Sequence, residues 1–153
     1  MLATRRDLLT IVARLTLCGV AAAAGFLSPR KVIAAWNSRA FGIKGVNSTI
    51  EALGGKGVAD SADIRIVAAE IAENGQVVPV RIVSSIANTE SISILIERNP
   101  STLAASFDIP AGTEADITTR IKMAETSNVY GVVRAGGKYY KASKEIKVTL
   151  GGC

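Results

Sequence analysis

From Ile64 onwards the apolar positions fall into short runs that alternate with polar ones and are separated by turn residues. The clearest runs are Ile92-Ser93-Ile94-Leu95-Ile96-Glu97, Ile117-Thr118-Thr119-Arg120-Ile121-Lys122-Met123 and Lys144-Glu145-Ile146-Lys147-Val148-Thr149-Leu150. A period of two puts successive side chains on opposite faces, so each run predicts a strand with one face toward a core and the other toward solvent or a partner. Strands are expected near residues 64–71, 77–84, 91–97, 103–109, 115–123, 128–135 and 138–149. Asn74-Gly75 and Ala135-Gly136-Gly137 read as hairpin turns, Asn99-Pro100 and Pro110-Ala111-Gly112 as longer corners. This grammar predicts an all-β, immunoglobulin-like antiparallel β-sandwich.

Ahead of the strands, Asn47-Ser48-Thr49-Ile50-Glu51-Ala52-Leu53-Gly54-Gly55 carries an N-cap residue, a short helical stretch and a glycine stop, which predicts one short N-terminal helix. Asn47-Ser48-Thr49 also spells a glycosylation sequon, but the cap explains it better. Gly54-Gly55-Lys56-Gly57 lacks the spacing of a P-loop and the Ser/Thr after its lysine, so it reads as a loop.

The first 35 residues follow different rules. Paired Arg5 and Arg6 precede an apolar, Ala/Gly-rich run from Leu15 to Leu27, and small residues Ala34 and Ala35 supply a peptidase site. This is the twin-arginine pattern of an export signal, expected to be cut after Ala34 or Ala35. A retained anchor is disfavoured because the run is shorter than the ~20 residues that span a bilayer. Lipidation at Cys18 is disfavoured because Leu17 stands where a small residue is wanted. The chain thus divides into a signal at 1–35, a β-sandwich domain with an N-terminal helical segment at 36–150 and a flexible tail at 151–153. Contact with a membrane is expected only during export, to the periplasm.

The signal also accounts for the charge. Five of the 18 basic residues and one of the 13 acidic ones lie in it, so the formal +5 falls to 13 positive against 12 negative charges in the mature chain. No basic stripe remains to attract nucleic acid. Cleavage removes Cys18 as well, which leaves Cys153 as the one thiol, with no intramolecular partner in an oxidising compartment.

Histidine is absent from the chain, so there is no imidazole to act as base for a Ser or Cys nucleophile or to bind zinc. The carboxylates are scattered without a calcium-loop pattern; the nearest pair, Asp60 and Asp63 beside Ser61, reads as part of a structural loop. No cofactor and no metal are expected. What remains is the thiol of Cys153, a potential nucleophile toward sulfur, metals and carbonyls. Gly151 and Gly152 lack side chains, so the tail fits a narrow channel, and three extended residues reach roughly 10 Å beyond the strand. A flexible Gly-Gly-Cys arm on a rigid strand is one reading of this ending. A frayed terminus that merely forms adventitious dimers is the other.

Three stretches bear on that choice: Ala72-Glu73-Asn74-Gly75-Gln76-Val77-Val78-Pro79-Val80, Thr119-Arg120-Ile121-Lys122-Met123-Ala124 and Lys147-Val148-Thr149-Leu150-Gly151-Gly152-Cys153. They resemble the recurring stretches of the SoxY family, the thiol-bearing subunits of the sulfur-carrier heterodimer of bacterial thiosulfate oxidation. The resemblance covers essentially the mature chain and suits a twin-arginine leader. It implies a covalent substrate carrier rather than an enzyme, with Cys153 as the attachment point and Gly151-Gly152 as the carrier arm. It also implies partners: SoxZ as the second subunit of a heterodimer, a Sox-system haem enzyme that loads thiosulfate, a hydrolase that releases sulfate, and a sulfane dehydrogenase. The family's tail usually reads Gly-Gly-Cys-Gly-Gly, whereas this sequence puts an α-carboxylate on Cys153 itself, where a negative charge raises a thiol's pKa. The competing classes are a secreted immunoglobulin-like binding or structural module with an intermolecular disulfide, and a thiol redox enzyme. The latter is weakened by the lack of a resolving cysteine or an activating cation nearby in sequence.

Overall fold

Alternating apolar residues need a second apolar surface, and the chain supplies it by folding into two sheets. A computed structural model of the chain describes residues 37–152. Its strands are β1 (Val58–Asp60), β2 (Ile64–Val67), β3 (Ile71–Asn74), β4 (Val78–Ser84), β5 (Thr89–Ile96), β6 (Leu103–Asp108), β7 (Asp116–Ile121), β8 (Ser127–Ala135) and β9 (Lys138–Leu150). One sheet has the order β1-β9-β8-β5-β6, with β3 also paired to β9; the other is β2-β4-β7. Ile64, Val78, Val80, Ile82 and Ile121 of the smaller sheet pack with Ile92, Ile94, Ile96, Val129, Val133 and Ile146 of the larger one. The β-sandwich expected from the sequence is the fold, and its long ladders are antiparallel.

Gly131 shows how closely the sheets approach. A Cβ there would sit 3.1 Å from Ile82 Cδ1 and 3.4 Å from Ile64 Cγ2, so a glycine in β8 makes room for an isoleucine of the facing sheet.

The helical segment departs from the sequence reading. Two short helices are present, α1 (Ser38–Gly42) and α2 (Val46–Ala52), rather than one. Asn37 caps α1 by accepting from the Ala40 N–H, and its amide donates to Ala52 O, tying the two helices together. Asn47 is not the N-cap of α2; Gly45 takes that place with φ +94°, and the Thr49 hydroxyl donates back to Gly45 O. Ala40 and Ile50 pack against Leu95, Leu103 and Val132 on the outer side of the larger sheet. That cover makes residues 92–96 buried on both faces, where alternation predicted an open second face.

Two turn readings had opposite outcomes. Gly136-Gly137 joins β8 to β9 as a two-residue hairpin, with Ala135 opposite Lys138 and φ of +55° and +72° at the glycines, as a type I′ turn requires. Asn74-Gly75 is not a hairpin. The strand expected at 64–71 is broken into β2 and β3. β3 leaves the smaller sheet to run parallel to the end of β9, and β4 returns to pair with β2 and β7.

Candidate functional site

Strand β9 is long because different neighbours hold its two ends. From Lys138 to Ile146 it pairs with β8, and beyond Ile146 that partner has ended. There β3 takes over in parallel register, Ile71 opposite Lys147 and Asn74 opposite Leu150. On the other side the Thr126 hydroxyl accepts from the Val148 N–H at 2.9 Å. The Thr149 hydroxyl donates to the Ala72 and Glu73 carbonyls. Ile146 and Val148 keep the apolar face of the strand in the core. The last strand is thus anchored up to Leu150, as its alternation predicted.

The backbone of the tail then enters a slot between two other backbones. The Gly75 N–H donates to Leu150 O at 2.7 Å, the Met123 N–H donates to Gly75 O at 2.7 Å, and the Gly152 N–H donates to Met123 O at 2.9 Å. Met123 is fully buried, which fixes the strap it belongs to. Asn99, in the β5–β6 turn, clamps that strap from outside: its amide donates to Lys122 O and its side-chain oxygen accepts from the Ala124 N–H. On the other wall Asn74 Oδ1 accepts from the Gln76 N–H and shapes the turn around Gly75.

Three glycines make this approach possible. A Cβ on Gly75 would overlap Met123 O, one on Gly151 would overlap Ala124 O, and one on Gly152 would overlap the Gly75–Gln76 peptide. None of the three has a positive φ, so space and not backbone angle is what glycine supplies here. Gly151 is exposed and Gly152 half-buried. The candidate residues Cys153, Arg5 and Arg6, and the signal at 1–35, lie outside the described residues. The sequence reading missed Gly75 and Asn99: both looked like turn residues, and nothing local reveals that Gly75 meets the tail or that Asn99 holds the strap beside it.

Elsewhere the described residues offer little chemistry. Asp63 and Ser61 bond to each other within one turn, the Asp63 N–H donating to Ser61 Oγ at 3.2 Å, and Asp60 lies 4.0 Å from Lys141. Among the described residues no three His, Cys, Asp or Glu side chains converge on a point. The Asp116 carboxyl is held below the usual carboxylate range by the hydrogen bond from Arg81, and Arg81 is raised in turn. Burial, with Glu97 nearby, raises Tyr130. Those three groups sit on β7, β4 and β8, within the sheets.

Comparison with known proteins finds both a family and solved structures that match. The sequence profile of the family described as "Sulfur oxidation protein SoxY" matches residues 50–153. The solved structure of the sulfur carrier protein SoxY from Chlorobium limicola f thiosulfatophilum is 40% identical, with a TM-score of 0.62, over 68% of this chain and 94% of that one. No curated protein sequence matches.

Proposed function

The chain belongs to the SoxY family, and from that premise we propose that it is a sulfur carrier that holds thiosulfate-derived sulfur covalently on Cys153. What supports the reading is the run-out of β9: an anchored strand leads into Gly151 and Gly152, and Cys153 follows them in the sequence.

Loading is an oxidation. The Cys153 thiolate joins the outer sulfur of thiosulfate to give Cys-S-S-SO3⁻, and the two electrons released go to a partner haem enzyme. Hydrolysis by a second partner breaks the S–SO3 bond, with water supplying the oxygen of sulfate and a proton left on the persulfide, Cys-S-SH. The carrier contributes a nucleophilic sulfur and its delivery; base, electron acceptor and water activation belong to the partners.

The second subunit is SoxZ, paired with this chain as a heterodimer. Apolar side chains left on the surface, Val67, Ile71 and Val77, are candidates for that contact. The site of action is the periplasm, reached by the twin-arginine route through Arg5 and Arg6. The test is Cys153→Ser in a system reconstituted with the partner enzymes. Thiosulfate-dependent turnover is expected to vanish while fold and subunit assembly persist, since residue 153 follows the last strand, which ends at Leu150. Unimpaired turnover overturns the carrier reading, and a doubled mass under oxidising conditions with no sulfur adduct favours the disulfide module.

A further inference from the structure

We infer that the carrier arm has a parked state on its own domain, and that Gly75 and Asn99 are the positioning residues that set how long it stays there. The inference rests on the carrier reading for its consequence, but its geometry stands independently. Gly152 reaches Met123 O with its N–H, Met123 reaches Gly75 O, and Gly75 reaches Leu150 O, so one short circuit of backbone bonds fastens the tail just before Cys153.

Steric fit gives the circuit its specificity. Glycine in a tail is usually explained by freedom, yet Gly151 and Gly152 have ordinary φ here and lie where any Cβ would collide with the backbone of Ala124 and Gln76. Gly75 faces them under the same restriction, because a Cβ there would strike Met123 O and lie 3.0 Å from Gly152 N. Three glycines from two distant parts of the chain therefore complement one another. Asn99 acts at one remove: bonded to both Lys122 and Ala124, it holds the strap that accepts the Gly152 N–H.

Parking has a kinetic meaning for a carrier. A tail fastened through Gly152 delivers its thiol only after that bond opens, so the apparent loading rate scales with the undocked fraction. Holding the arm limits encounters of a sulfane-bearing cysteine with stray thiols, and opening requires only the bond from the Gly152 N–H to Met123 O to break. The glycines thus serve two places, the slot on this domain and the channel of a partner.

Hydrogen exchange of the Gly152 amide in the purified full chain tests this directly. In the wild-type chain that amide is expected to exchange at least about tenfold more slowly than in a peptide of the same tail sequence. Gly75→Ala and Asn99→Ala are each expected to bring it within about twofold of the peptide, while amides of β4 and β8 keep their protection. Gly152→Ala, which lies outside both sheets, is expected to free its own amide likewise. With the partner haem enzyme limiting, Asn99→Ala is expected to load thiosulfate several-fold faster, which a simple loss of structure would not produce. Peptide-like exchange of Gly152 in the wild type, or protection retained in Asn99→Ala and Gly152→Ala, overturns the parked state; loading no faster despite lost protection overturns its role as a gate. A protected Gly152 on a protein that never acquires sulfur would instead sink the carrier reading and leave the parked state standing.

Discussion

The packing of Ile82 against Gly131 allows a test in which two substitutions should each destabilise and yet correct one another. Ile82 is fully buried in the central strand of the smaller sheet. Ile82→Ala removes side-chain atoms facing a residue with no side chain to relax into the space, so a loss of about 2–5 kcal/mol is expected, toward the upper end. Gly131→Ala alone forces a methyl to 3.1 Å from Ile82 Cδ1 and 3.2 Å from Ile82 Cγ2. Overpacking of that kind costs about 1–3 kcal/mol. Relief of the glycine's backbone entropy offsets about 0.5–1 kcal/mol of it. In the Ile82→Ala background the same methyl enters vacated space and gains about 0.8 kcal/mol of burial. The entropic relief remains, so Gly131→Ala should change sign, with a coupling of about 2–4 kcal/mol. Urea denaturation of the four proteins under reducing conditions, followed by circular dichroism, would show the double variant unfolding about 1 M above Ile82→Ala. Additivity within about 0.5 kcal/mol would mean that the two sheets do not meet at this pair.

Arg5→Lys with Arg6→Lys is expected to leave the folded precursor in the cytoplasm, measured by fractionation, because a receptor reads the paired guanidinium groups and not their charge; normal arrival in the periplasm refutes the route. Asp116, held below its ordinary range by Arg81, contributes stability that is present above the unfolded carboxylate pKa and lost as pH falls through the lower folded value. Asp116→Asn should therefore flatten the acid limb of the stability profile below about pH 4 and leave the neutral region nearly parallel to wild type. Since these side chains are 52% and 25% exposed, screening keeps the effect small. Gly151→Val with Gly152→Val is expected to slow every partner-catalysed step at Cys153 while a small alkylating reagent reacts at least as fast as with wild type, since the valines also keep the tail out of its slot; unchanged partner rates would contradict delivery by the tail.

The pattern of residues revealed the sandwich but not all of its contacts. Alternation located β4 to β9 because each buries at least one face, and Gly136-Gly137 marked a hairpin because its two positive φ angles are a local demand. Asn74-Gly75 carries an equally strong turn signal, yet Gly75 is needed for close approach to Met123, a contact set by residues 48 positions away. β1 and β3 were illegible for the same reason: three- and four-residue parallel partners of β9 have no periodicity of their own. The double burial of β5 did leave a signal, the consecutive Ile94-Leu95-Ile96, since an open strand face has no use for Leu95. At the site, the end of β9 and its two glycines were readable as an ending. The slot that receives them was not, because it is made of backbone atoms and of an asparagine whose neighbour, Pro100, made it look like a plain corner.

The most direct test of the central claim is the location of the sulfur. Intact and tandem mass spectrometry of the protein isolated from thiosulfate-oxidising cells, beside its Cys153→Ser variant, should find S-thiosulfonate and persulfide adducts on the C-terminal peptide of the wild type and none on the variant. Adducts that persist in the variant, or a wild-type Cys153 that carries no sulfur beyond a symmetrical disulfide while thiosulfate is being consumed, would contradict the account.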